Sequence, residues 1–79
     1  MVIVVLIKIE IKGTLKNYIS QGELCLKVNE NINVKDLAKK IGLPEHIPKV
    51  AIINQEIVSP DYILKEKDEV IFVPIVGGG

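Results

Sequence analysis

The chain has 79 residues, 48% of them hydrophobic, with ten lysines, no arginine and ten acidic residues that leave no net charge at neutral pH. That size makes one domain with a single modest core, too small for a deep catalytic cleft with its own walls, so a carrier, binder or subunit is expected before a self-sufficient enzyme. Balanced charge without guanidinium forks argues against nucleic acid, and the single Cys25 and His46 can build neither a disulfide framework nor a multi-thiolate metal site within one chain.

From Ile3 to Lys12 the odd positions are apolar while Lys8, Glu10 and Lys12 occupy even ones, the period of a half-buried strand. Val2, Val4 and Leu6 break the pattern, so the first half of this strand is apolar on both faces. That implies a central place in the sheet or an outward patch. The apolar run from Met1 to Ile7 has no preceding basic region and no small-residue cleavage site, and it is far short of a membrane span. No membrane partner is expected, and a lone thiol fits the reducing cytoplasm.

Gly13 to Gly22 is long for a hairpin connection and requires Leu15, Tyr18 and Ile19 to tuck against the core. Glu23 to Val28 alternates cleanly, with Leu24, Leu26 and Val28 inward and Cys25 outward, which predicts an antiparallel hairpin with the first strand. Asn33 is a helix N-cap candidate with Asp36 at the third helical position. Val34, Leu37, Ala38 and Ile41 then fall at helical spacing and Gly42 terminates, so a short amphipathic helix is predicted over 34–41 that must dock on the sheet.

Lys49–Ile53 reads as a third strand, Asn54-Gln55 as a tight turn and Glu56–Val58 as its return, although glycine is the usual choice where both turn residues need positive φ. After Ser59-Pro60-Asp61, Tyr62–Leu64 is expected as a helical turn under the sheet, and Lys65–Asp68 as a charged, exposed turn. Val70–Val73 is apolar without alternation, the mark of a strand covered on both faces, and Pro74 ends it. The order β-β-α-β-(β)-β predicts an α+β, β-grasp fold: a mixed sheet of four to five strands with one main helix, over residues 1–74. Residues 75–79 are expected as a flexible tail.

That tail closes on Gly77-Gly78-Gly79. A glycine pair has no side chains to block a narrow slot, and at about 7% average glycine content two terminal glycines arise by chance roughly once in two hundred chains. The carboxylate of Gly79 is ionised at neutral pH and can attack an ATP α-phosphate on a suitable enzyme. Gly79, with Gly78 behind it, is therefore the candidate reactive site. A frayed or truncated linker is the plain alternative.

Three segments together resemble the ubiquitin-like sulfur carriers, the family of the molybdopterin synthase small subunit and the thiamine-pathway sulfur carrier. They are Asn33–Leu37, Val50–Val58 followed by Asp61-Tyr62, and Leu64–Val70 running on through Phe72 and Pro74 to Gly78-Gly79. Phe72 to Pro74 looks more like the molybdopterin branch, while Gln55 and the short 13–22 segment depart from the usual pattern. The resemblance implies a protein that is not itself an enzyme and binds no cofactor. An E1-like enzyme would adenylate Gly79 with ATP, a sulfur donor would convert it to a thiocarboxylate, and the molybdopterin synthase large subunit or a thiazole synthase would take the sulfur. Joining of Gly79 to lysines of other proteins, as in a ubiquitin-like modifier, is the alternative.

Outward residues Val4, Leu6, Ile71 and Val73 are expected to form an apolar docking patch continued by Pro74, Ile75, Val76 and Gly77; the competing reading is cover by a loop. A Cys25–His46 nucleophile and base pair is disfavoured, because the cysteine lies mid-strand and no orienting group is evident. The helix lysines read as a solvated face.

Overall fold

The alternation in the first half of the chain builds the first hairpin. Strand β1 (Val4–Ile11) buries Val5, Ile7, Ile9 and Ile11 and pairs antiparallel with β2 (Glu23–Asn29) from Val4↔Asn29 to Glu10↔Glu23. Between them Gly13–Asn17 forms a short 3₁₀ helix that sinks Leu15 completely, whereas Tyr18 stays 47% exposed rather than tucking in as expected. The computed structural model describes residues 3–19 and 21–75.

Helix α1 (Val34–Ile41) has the predicted bounds. The Asn33 side-chain oxygen accepts from the Asp36 N–H at 2.8 Å, which satisfies one orphan donor of the first turn. At the other end Gly42 takes φ 100° and its N–H reaches the Ala38 and Lys39 carbonyls. Leu43 N–H closes on the Ala38 carbonyl at 2.9 Å with its side chain buried, so a left-handed residue plus an apolar stopper ends the helix. Val34, Leu37 and Ala38 then dock in the same core as the strands.

Strands β3 (Lys49–Ile53) and β4 (Glu56–Val58) form the second hairpin. Asn54 and Gln55 both have positive φ, 54° and 68°, so Gln55 occupies a backbone region that glycine fits better. The segment after β4 corrects the expected helical turn at Tyr62–Leu64. Ile63 is extended and bridges Asn33, and the Pro60 and Tyr62 carbonyls accept the Lys35 and Val34 N–H groups at 3.0 Å. An extended path wins because it lends carbonyls to helix donors that have no partner within the helix. Leu64 is buried and Ile63 is 43% exposed.

Strand β5 (Glu69–Pro74) is central, and the sheet order is β2-β1-β5-β3-β4 with β1 and β5 parallel. The β-grasp arrangement is thus present, with the first and last strands side by side. Phe72, 1% exposed, is the largest fully buried side chain. Only one face of β5 is sealed: Val70 and Phe72 are buried, while Ile71 and Val73 are half-buried on the opposite face. Among the described residues no helix is long and apolar enough to cross a membrane.

Candidate functional site: the open sheet face and the root of the C-terminal segment

The side of the sheet away from α1 is where the sequence places its outward apolar residues, and strand register decides which of them meet. Ile52 lies directly opposite Ile57 on β4 and Ile71 on β5. Val50 lies opposite Val73 in the next outward row. These five aliphatic side chains make one apolar quadrant across three strands, since directly opposed residues share a face. Ile57 is its most open member at 70% exposure. Among the described residues, the register places no polar residue between its members.

Beyond β5 the same rows become charged. Ile71 is in register with Glu10, whose carboxylate sits 2.6 Å from Lys12 Nζ, and Lys8 pairs with Glu69 across the parallel strands at 3.8 Å. The hydrogen bond from Lys12 holds the Glu10 carboxyl below its ordinary range, and the same contact raises Lys12. Both groups stay ionised at neutral pH and neither is tuned for proton transfer. They draw a polar border to the quadrant.

Val4 and Leu6 lie on the far side of that border. Leu6 is four residues upstream of Glu10, the register partner of Ile71, or about 13 Å along the strand at roughly 3.3 Å per residue. The single patch expected from Val4, Leu6, Ile71 and Val73 is therefore two patches. Leu6 serves the fold through its backbone: its N–H donates to Glu66 Oε2 at 2.7 Å and its carbonyl accepts from Lys67 N–H at 2.8 Å. Ile52, Ile57 and Val50 belong in the quadrant in place of Val4 and Leu6. Their signal was the apolar character of both parities in Val50–Ile53.

The root of the C-terminal segment adjoins the quadrant. Pro74, half-buried, closes β5 opposite Lys49, and the N–H of exposed Ile75 donates to the Pro48 carbonyl at 3.1 Å. The loop carrying Pro48 is itself held by Lys49 Nζ, which donates to the Pro44 and Ile47 carbonyls at 3.0 and 3.3 Å. The expected site residues Val76, Gly77, Gly78 and Gly79 lie outside the described residues.

Cys25 is exposed on edge strand β2, while His46 is exposed in the loop before β3, on the other side of the sheet order. The two do not form a nucleophile and base. Among the described residues no three metal-ligating side chains cluster. An open cleft of about 790 Å³ beside α1 is lined mainly by apolar residues such as Val34, Ala38, Leu43, Ile47 and Ala51, with Lys35, Glu45, Lys49 and Asp61 also in its lining.

Comparisons with known proteins agree with this architecture. The chain is similar to the putative molybdopterin converting factor, subunit 1, of Pyrococcus furiosus, at 23% identity and TM-score 0.74, over 91% of this chain and 99% of that one. It is similar to the HVO 2177 protein of Haloferax volcanii, at 18% identity and TM-score 0.81, over 96% and 88%. It is also similar to small archaeal modifier protein 1 of Haloferax volcanii, at 15% identity and TM-score 0.70, over 91% and 99%. At these identities the likeness is one of fold. No curated protein matches the chain. The ThiS family model matches residues 9–79, from the middle of β1 through the three glycines, and the chain belongs to the ThiS family.

Proposed function

We propose that this chain is a sulfur carrier that works through the carboxylate of Gly79. A carboxylate oxygen attacks the ATP α-phosphate on an E1-like enzyme, pyrophosphate leaves, and an acyl-adenylate forms. A donor of sulfide-level sulfur then attacks the acyl carbon and AMP leaves, giving a thiocarboxylate whose sulfur is a soft nucleophile. The observation that carries this reading is the family match extending through Gly77-Gly78-Gly79. The fold supports it physically: a rigid domain with an apolar face beside the root of a narrow, glycine-rich segment can deliver that segment to another protein's active site at high effective concentration.

The quadrant of Val50, Ile52, Ile57, Ile71 and Val73 is the docking surface for the E1-like enzyme and for the acceptor. The acceptor is the large subunit of molybdopterin synthase, a reading favoured by the likeness to the Pyrococcus furiosus converting factor subunit; a thiazole synthase is the alternative within the same chemistry. A second reading, attachment of Gly79 to lysines of other proteins, is favoured by the likeness to small archaeal modifier protein 1. Intact mass of the protein isolated from its native cell separates these. Exchange of one oxygen for sulfur supports the carrier, lysine-linked adducts support the modifier, and an unaltered mass with E1-like enzyme and ATP present counts against both.

A further inference from the structure

The last described residues of the chain are gripped from two sides. On the β1 side, Lys12 N–H donates to the Phe72 carbonyl at 3.0 Å, which brings the next residue, Gly13, against Pro74. A Cβ built on Gly13 would stand 2.9 Å from Pro74 Cγ and 3.3 Å from Cδ, closer than packed carbon atoms approach. Gly13 also has φ +58°, so glycine suits the backbone turn, and the closeness of the ring leaves no room for a Cβ. The turn is fixed from below by Leu15, fully buried two residues on. On the β3 side, Pro74 is in register with Lys49 and Ile75 N–H donates to the Pro48 carbonyl.

We infer that Gly13 and Pro48 are positioning residues that form a collar around Pro74 and Ile75, fixing where and in what direction the reactive segment leaves the domain. This rests on the carrier reading above. Four residues follow Ile75, and at about 3.3–3.6 Å per residue they span at most roughly 14 Å. So short a reach makes transfer sensitive to its origin. With the domain docked through its apolar quadrant, the collar sets how far Gly79 extends into the activating enzyme, and a displacement near 1 Å can cost about a hundredfold in rate.

The test uses two full-length variants and two readouts. Gly13→Asn keeps a residue type that tolerates positive φ while placing a Cβ against Pro74. Ile75→Pro removes the N–H donated to Pro48 at an exposed site. In ATP–pyrophosphate exchange with the E1-like enzyme of the native cell, each folded variant is expected to lower kcat about tenfold, and Gly13→Asn, which leaves the apolar face untouched, is expected to keep KM within twofold because docking is intact and placement is not. A kcat within twofold of wild type for both overturns the inference. Hydrogen exchange in the free protein provides a readout independent of the carrier reading: the Ile75 amide should exchange at least tenfold more slowly than its unprotected rate, and Gly13→Asn should abolish the difference. An unprotected Ile75 amide overturns the collar whatever the activity. Wild-type protein that supports no pyrophosphate exchange, yet protects Ile75, counts against the proposed function and leaves the collar standing.

Discussion

Replacing Ile57 by alanine separates docking from folding more cleanly than any other change on the open face. The side chain sits on an edge strand of three residues and is 70% exposed, so the fold draws little from it and stability should move by no more than about 0.5 kcal/mol. A partner that covers the quadrant buries the remainder. Full burial of an isoleucine side chain contributes about 1.5–3 kcal/mol, and seven-tenths of that is about 1–2 kcal/mol. Alanine retains only the Cβ, so the expected loss is about 1–1.5 kcal/mol, or roughly 5- to 13-fold in Kd. Calorimetric titration of the E1-like enzyme with each variant measures it, with Leu6→Ala as the control beyond the Lys8–Glu69 pair. Leu6→Ala should leave Kd within twofold. Unchanged binding by Ile57→Ala together with a fivefold loss for Leu6→Ala would place the contact on the other patch and exclude the quadrant as the docking surface.

Two further outcomes follow from the same geometry. Gln55→Gly should raise stability by about 0.5–1 kcal/mol, since it relieves a left-handed non-glycine residue at an exposed turn; for a domain this small that is roughly 2–8 °C in Tm by thermal denaturation. Glu45, hydrogen-bonded to Lys39 at 2.7 Å, is held below the ordinary glutamate range by that contact. Its contribution is therefore present above the unfolded-state value and lost as pH falls through the lowered one. An NMR titration should find its midpoint below that of a free glutamate and show Lys39→Met returning it upward; an unmoved midpoint in the variant would exclude the pair.

Local signals made much of the fold legible. The helix could be bounded at 34–41 because Asn33, the apolar spacing and Gly42 each act within a few residues. Strands β1 and β2 emerged from alternation for the same reason, and β5 from its unbroken apolar run. Tyr62–Leu64 did not, because its extended path answers the unpaired N–H groups of a helix nearly thirty residues upstream. The turn at Asn54-Gln55 was visible, but the positive φ of Gln55 is imposed by closing β3 on β4 rather than by its own preference. Parity assigned Val4, Leu6, Ile71 and Val73 to one face. It carries no information about the offset between parallel strands, and the alignment of Lys8 with Glu69 is what splits the four into two patches. The role of Gly13 was hidden because its neighbour, Pro74, lies at the other end of the chain.

On the proposed function the Gly79 carboxylate is the group an activating enzyme energises, and ATP–pyrophosphate exchange measures that step before any sulfur chemistry intervenes. With the E1-like enzyme of the native cell, the full chain should drive exchange and a chain lacking Gly79 should not, although both melt at nearly the same temperature. Exchange that persists undiminished without Gly79 would rule that carboxylate out as the activated group.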